Sequence, residues 1–186
     1  MNFMLDLETV GVRPTSGILS IGVVPFDDTQ VFDDVFYSKI ELDDSMTLGF
    51  TTDDSTMLWW NAQKDEVREE AFSGEVSVRD SISQLSAYLK RWAAKGEELL
   101  VWGNGANFDN VLIANAYELL SLKKPWSYSN DRCFRTLKAL YPMLPYIPPM
   151  NAHNALDDAL AQAIHAVKVL NWIKNGSIGA GNAKSD

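Results

Sequence analysis

The run "FMLDLETVG" at residues 3–11 sets two carboxylates, Asp6 and Glu8, into a hydrophobic stretch that otherwise reads as a buried strand. In an extended chain residues i and i+2 share a face, so both acids project into one space. Carboxylates held that close repel unless they stay protonated or a cation sits between them. A hard divalent ion such as Mg2+ or Mn2+ takes oxygen ligands of this kind. A strand end with both acids in water explains the stretch equally well, so the rest of the chain has to decide. In "GNGANFDN", Asp109 follows a Gly-rich turn after an apolar run. That puts it at a strand's carboxyl edge, where open α/β sheets place ligands, although the helix dipole alone also favours an acid in a first turn. In "AHNALDDALAQA", His153 precedes the adjacent pair Asp157 and Asp158 in a helix's first turn, where the dipole again explains either acid.

Three β-rich segments, residues 3–8, 18–26 and 35–40, with short connections, predict an antiparallel start to a sheet. "STMLWWNAQ" predicts a short helix capped by Ser55 and carrying Trp59 and Trp60, and residues 78–94 predict a longer one ending at Gly96. The apolar run "ELLVWG", 98–103, has buried-strand length, and the switch from helix to strand to helix there predicts continuation with parallel strands. From Phe108, Val111, Leu112, Ala116, Leu119 and Leu120 recur at helical spacing, so Asp109 falls in a first turn. A short helix over 134–140 precedes "YPMLPYIPPMN", 141–151, whose four prolines predict an exposed loop. Leu156, Leu160, Ile164, Val167 and Leu170 mark the apolar stripe of a last helix to Ile173. The division expected is one domain over 1–174 and a flexible tail over 175–186.

At 186 residues with 46% hydrophobic content, the chain is long enough for one sizeable core and needs no second domain. No stretch approaches the ~20 apolar residues of a membrane helix, and the N-terminus lacks a signal-peptide pattern. The single cysteine, Cys133, excludes an internal disulfide and reads as a core filler. A cytoplasmic location without membrane attachment is expected. The net charge of −9 argues against a broad electrostatic grip on duplex DNA. Divalent ions bound at an acidic pocket would reverse the local field, so a nucleic-acid enzyme acting on a short stretch of strand stays open.

The ordered set D-x-E on the first strand, N-F-D after a middle strand and H-x4-D at the last helix resembles the DEDDh branch of the DnaQ-like 3′→5′ exonucleases. The resemblance spans residues 3 to about 173. "STMLWWNAQ" and "DRCFRTLKALYP" add similarity to a narrower subgroup that includes the exodeoxyribonuclease A of T-even phages and related exoribonuclease-like domains. It implies an α/β, ribonuclease H-like mixed sheet, antiparallel β-β-β first and then parallel strands, flanked by helices. It also implies a metal-dependent 3′→5′ exonuclease on single-stranded DNA or RNA 3′ ends, with DNA slightly favoured, releasing 5′-monophosphates. Carried onto matching positions, Asp6, Glu8 and Asp158 would ligate two Mg2+ or Mn2+, Asp109 would help hold the second ion, and His153 would be the general base. Two such ions sit ~3.5 to 4 Å apart and stabilise both the attacking and the leaving oxygen. The H-x4-D spacing selects Asp158 over Asp157. Leu7, Thr9, Trp60, Asn107 and Phe108 are the expected substrate contacts, with the loop 141–151 placed to close over substrate, and a homodimer is compatible with the family.

Adjacent helical residues point about 100° apart, so of Trp59 and Trp60 one belongs to the core and the other faces substrate. His165 lies ~10 Å along the helix from Asp158, too far to share its ion, and reads as a solvated or packed side chain. Arg132, Arg135, Lys123 and Lys124 are available to phosphate, although isolated surface charges are the default explanation. "FMLDLETV" followed by "DD" also resembles haloacid-dehalogenase-type phosphatases, but Glu8 is a poor fit to their second Asp. A non-catalytic nucleic-acid-binding module on the exonuclease fold would predict loss of a ligand or of the base, and all five are present.

Overall fold

The computed structural model describes residues 1–149, 151 and 153–180, the last four as backbone only. Five strands, β1 (Asn2–Thr9), β2 (Ile18–Phe26), β3 (Phe36–Lys39), β4 (Leu100–Gly103) and β5 (Asp131–Cys133), form one sheet in the order β3-β2-β1-β4-β5. β1, β2 and β3 pair antiparallel, and β4 and β5 continue parallel to β1, which is the expected mixed sheet. The helices are α1 (Leu42–Thr47), α2 (Asp54–Asn61), α3 (Asp65–Ala71), α4 (Val78–Ala93), α5 (Asp109–Leu119), α6 (Phe134–Leu140) and α7 (Ala155–Ala180).

Alternation along β1 assigns its faces. Phe3, Leu5 and Leu7 pack with Ile82, Leu85 and Leu89 of α4 and Leu112 and Ile113 of α5. Met4 packs on the other face with Val24, Trp102, Phe134 and the alanines of α7. Asp6 and Glu8 continue the Met4 row, so the chain points its first two acids at α7. Ser77 caps α4 by accepting the Asp80 N–H at 3.1 Å.

The helix α7 differs from the expected pattern. Its fully buried side chains are Ala155, Ala159, Ala163, Ala166 and Val169, while Leu160 and Ile164 are 38% and 42% exposed. Small residues on the inward face let the helix axis approach the sheet closely, so that of the expected stripe Leu156, Val167 and Leu170 pack against the core while Leu160 and Ile164 turn outward. The closest approach is at Gly22, the cross-strand partner of Asp6, where a Cβ would overlap the backbone of Ala155. The helix also runs past Ile173 to Ala180; of the expected tail, residues 181–186 lie outside the described residues, as does Met150 of the Pro-rich segment.

Other expectations need correction. Ser55 lies inside α2, and Asp53 precedes the helix with its carboxylate turned instead to the Val12 N–H at 2.8 Å and Arg13 Nε at 3.1 Å. The short elements α1, α3 and β5 had no legible signal, because α3 ("DEVREEA") is mostly charged and β5 is three half-buried residues at a sheet edge. Cys133 is not a core filler: it is half-buried at the end of β5, where the Thr136 hydroxyl donates to its sulfur at 3.2 Å. Residues 141–149 form neither helix nor strand, as the prolines require.

Replacing Gly22 with valine puts a branched side chain where the α7 backbone lies. The expected loss is about 1–3 kcal/mol or more in urea unfolding, together with weaker Mn2+ binding in calorimetry. An unchanged midpoint and affinity would mean that this contact does not hold α7 in place.

Candidate active site

Three elements converge at the carboxyl end of β1. Carboxylate oxygens of Asp6, Glu8 and Asp158 all lie within 4.8 Å of one another. Asp158 is delivered by the first turn of α7, whose N-cap is Asn154: its side-chain oxygen accepts the N–H groups of Leu156 and Asp157 at 3.0 and 3.2 Å. Asp157 is turned away and accepts a hydrogen bond from Asn151 at 3.0 Å. Asp109, at the start of α5, stands next to this group without belonging to it, close enough for its charge to act on both Asp6 and Glu8. Gly103 makes that return possible, since a Cβ there would lie 2.9 Å from the Asp109 Cβ.

The electrostatics are those of crowded, poorly solvated acids. Burial pushes Asp6 well above the usual carboxylate range, and the charges of Asp109, Glu8 and Asp158 add to it, while Gln162 pulls it down. Gln162 Nε2 donates to Asp6 Oδ1 at 2.7 Å, and Gln162 Oε1 is buried with no hydrogen-bond partner among the described residues. Burial first, then Asp158 and Asp109, push Glu8 up to about 8. Asp109 rises to about 7 through burial, against backbone hydrogen bonds at Asp109, Asn104 and Leu7 and the charge of Arg135. Burial also raises Asp158, opposed by the backbone N–H of His153, which donates to Asp158 Oδ2 at 3.0 Å.

A donor set made only of oxygens, buried and mutually repulsive, fits a hard divalent cation. Gln162 Oε1 adds an unpartnered buried oxygen at its edge. Asp6, Glu8 and Asp158 would hold such an ion.

His153 adopts φ +69°, in the left-handed region that non-glycine residues rarely occupy. Its ring meets Trp59 edge-to-face with centroids 4.8 Å apart, and Trp60 at 6.3 Å. Trp60 was expected at the substrate, and the structure corrects this: it is 1% exposed, and its Nε1 donates to the Thr9 carbonyl at 2.9 Å. Trp59, 41% exposed, is the outward member of the pair. The Leu7 side chain is buried on the α4–α5 face, opposite the acids, and the Thr9 hydroxyl is committed to the Gly11 carbonyl at 2.8 Å. Asn107 is exposed, and Phe108 is half-buried against the core. His165 is the packed alternative of the two expected, 2% exposed between Phe134 and Tyr146.

Sequence reasoning missed Gln162, Asn154 and Tyr146. Gln162 follows Asp158 by four residues and so shares its helix face, and Asn154 directly before an apolar helix is an N-cap signal. Tyr146 of the Pro-rich segment had no signal. Burial, then the charges of Asp158 and Asp6, push its phenol up to about 12.

In EDTA, Glu8 keeps its proton to about pH 8 in the folded chain, against an ordinary 4.5 when unfolded. Across that window the folded state binds more protons, so stability is fully present below it and is lost as pH rises through it. The melting temperature in EDTA should fall with rising pH between those limits, and Mn2+ should flatten the fall. A melting temperature that climbs with pH in EDTA would contradict a self-repelling cluster.

The profile of the family described as 3'-5' exoribonuclease Rv2179c-like domain matches residues 1–170. The exodeoxyribonuclease of Enterobacteria phage T4 is 27% identical over 130 residues, 61% of this chain and 54% of the phage protein, so the chain spans about half of that relative's length. Among solved structures, the nuclease domain of 3'hExo, a DEDDh family member bound to rAMP, superposes with a TM-score of 0.62 at 13% identity, over 94% of this chain and 92% of that one. Cell-death related nuclease 4 (CRN-4) gives 0.54 at 13% identity, over 94% and 64%. At that identity the solved structures establish the shared fold. Three antiparallel strands preceding the parallel ones, with the family match, overturn the phosphatase alternative. No helix among the described residues is long and apolar enough to cross a membrane. With the match running from β1 through the first turns of α7, this chain belongs to the 3'-5' exoribonuclease Rv2179c-like domain family.

Proposed function

We propose that this chain removes nucleotides from the 3′ end of single-stranded nucleic acid, releasing 5′-monophosphates, with Asp6, Glu8 and Asp158 holding divalent ions and His153 as general base. The observation that carries this reading is the convergence of three carboxylates within 4.8 Å beside a histidine bound through its backbone to one of them. Two Mg2+ or Mn2+ ions would supply acidification of the attacking water and neutralisation of charge on the phosphate oxygens.

The remaining roles belong to the chain. Asp109, at the start of α5, would help hold a second ion. Gln162 fixes the rotamer of Asp6 by its hydrogen bond. His153 takes the water proton as the new P–O bond forms, and the broken bond leaves a 3′-oxygen that is protonated from solvent. The backbone N–H of His153 donates to the Asp158 carboxylate, so base and ligand keep one geometry. Trp59 replaces Trp60 as the aromatic face open to a base, since stacking needs exposure.

DNA ranks ahead of RNA because the sequence relative is named an exodeoxyribonuclease; the family description, exoribonuclease, supports the second reading. A homodimer, a cytoplasmic location and the domain limits 1–174 are carried with the proposal. The alternative of a non-catalytic binding module is disfavoured by the intact set of acids.

The test is digestion of 5′-labelled single-stranded DNA and RNA of matched sequence with Mg2+, Mn2+ or EDTA. A ladder shortening from the 3′ end, abolished by EDTA and by Asp6→Ala or Asp158→Ala in folded protein, is expected. His153→Ala should lower the rate by about 10²–10⁴-fold while leaving Mn2+ affinity nearly intact. Substantial activity in either aspartate variant would remove the metal assignment, and no cleavage of either strand would leave a binding module.

A further inference from the structure

The acidic site must receive a polyanion, and the chain's cations differ sharply in their availability to it. Arg132 is tethered to backbone through one nitrogen, its Nη1 donating to the carbonyls of Ser129 at 2.9 Å and Asp131 at 3.0 Å. Lys124 pairs with Asp131 at 3.7 Å and covers the ring of Trp126. Lys123 lies in a surface groove with Ser83, Ser86 and Lys90, formed by α4 and the segment after α5, and none of the acids lines it. Arg135 is different: it is exposed, and its guanidinium makes no hydrogen bond and no ion pair among the described residues.

Its position follows from topology. β1, β4 and β5 are parallel, so their carboxyl ends share one edge, and Arg135 comes two residues after β5 at that edge. Its Nη2 and Cζ lie 3.4 and 3.5 Å from where a Cβ would stand at Gly105. The guanidinium therefore rests over the turn that delivers Asp109, and its charge reaches that carboxylate. It stands outside the buried group of Asp6, Glu8 and Asp158, at the exposed rim.

We propose that Arg135 binds a non-scissile phosphate of the incoming single strand, the phosphodiester one nucleotide 5′ of the bond to be cut. This rests on the single-stranded substrate proposed above. The scissile phosphate belongs to the acids and their ions, so a cation at the rim meets the next phosphate along the chain. A guanidinium presents a planar pair of donors that matches two phosphate oxygens, and among the described residues this one has no hydrogen-bonded or ion-paired partner to give up. Such a contact orders the strand without reading its sequence.

The test pairs a protein change with a substrate change, read as equilibrium binding by fluorescence anisotropy with Ca2+ in place of Mg2+. Wild type and Arg135→Gln are titrated with a plain single-stranded oligonucleotide and with one carrying a neutral methylphosphonate at the penultimate linkage. Wild type should lose about tenfold on the methylphosphonate strand, the size of one charged hydrogen-bonding contact. Arg135→Gln should lose a similar factor on the plain strand and nothing further on the modified one, with Arg135→Lys intermediate. Lys123→Gln, which removes the same charge elsewhere, should bind as wild type does. Losses that multiply would make Arg135 only a counter-charge for Asp109, and an Arg135→Gln protein that binds like wild type would also overturn the assignment. Because the readout is binding, a wild type that binds but does not cleave would refute the exonuclease proposal while leaving this comparison decisive.

Discussion

The site depends on two places flanking β1 where a side chain is missing. Gly22 lies across from Asp6 on the antiparallel side, and Gly103 lies beside Leu5 on the parallel side. A Cβ at the first would overlap the α7 backbone, and one at the second would press on Asp109. Without them, helices from opposite faces of the sheet come close enough to bring Asp158 and Asp109 to the acids of β1. The alanine face of α7 extends the same close fit along the helix.

That convergence works against the folded state, because like charges in a poorly solvated place raise one another's proton affinity. The two apolar layers on either face of the sheet hold it together. Phe3, Leu5 and Leu7 anchor one face of β1 and Met4 the other, so the strand cannot twist its acids apart without unpacking both cores. Among the described residues the compensation is small: one hydrogen bond from Gln162, backbone N–H groups at Asp109 and Asp158, and the distant charge of Arg135. A site so weakly neutralised by its own chain has the charge and the oxygen donors that suit a divalent cation.

His153 shows how backbone geometry serves the same end. Its left-handed conformation turns the N–H toward Asp158, and the tryptophan pair receives the ring. Trp60 is anchored to the Thr9 carbonyl at the end of β1, so the strand that carries the acids also sets the wall behind the histidine.

The sequence by itself determined the acids and the elements that hold them. The i, i+2 rule put Asp6 and Glu8 on one face and the apolar run before "GNG" put Asp109 at a strand edge, because both rest on local periodicity, while the choice of Asp158 over Asp157 came from the H-x4-D spacing of the family it resembles. What only the tertiary structure decided involves partners distant in the chain. Gln162 meets Asp6 across 156 positions, and Trp60 became core because a carbonyl 51 residues away accepts its N–H. Leu160 and Ile164 looked like a core stripe, yet the neighbouring alanines face the sheet, since only a backbone approaching Gly22 makes small residues the better inward face. Arg135 read as an ordinary surface charge until the parallel strand order brought it over the turn before Asp109.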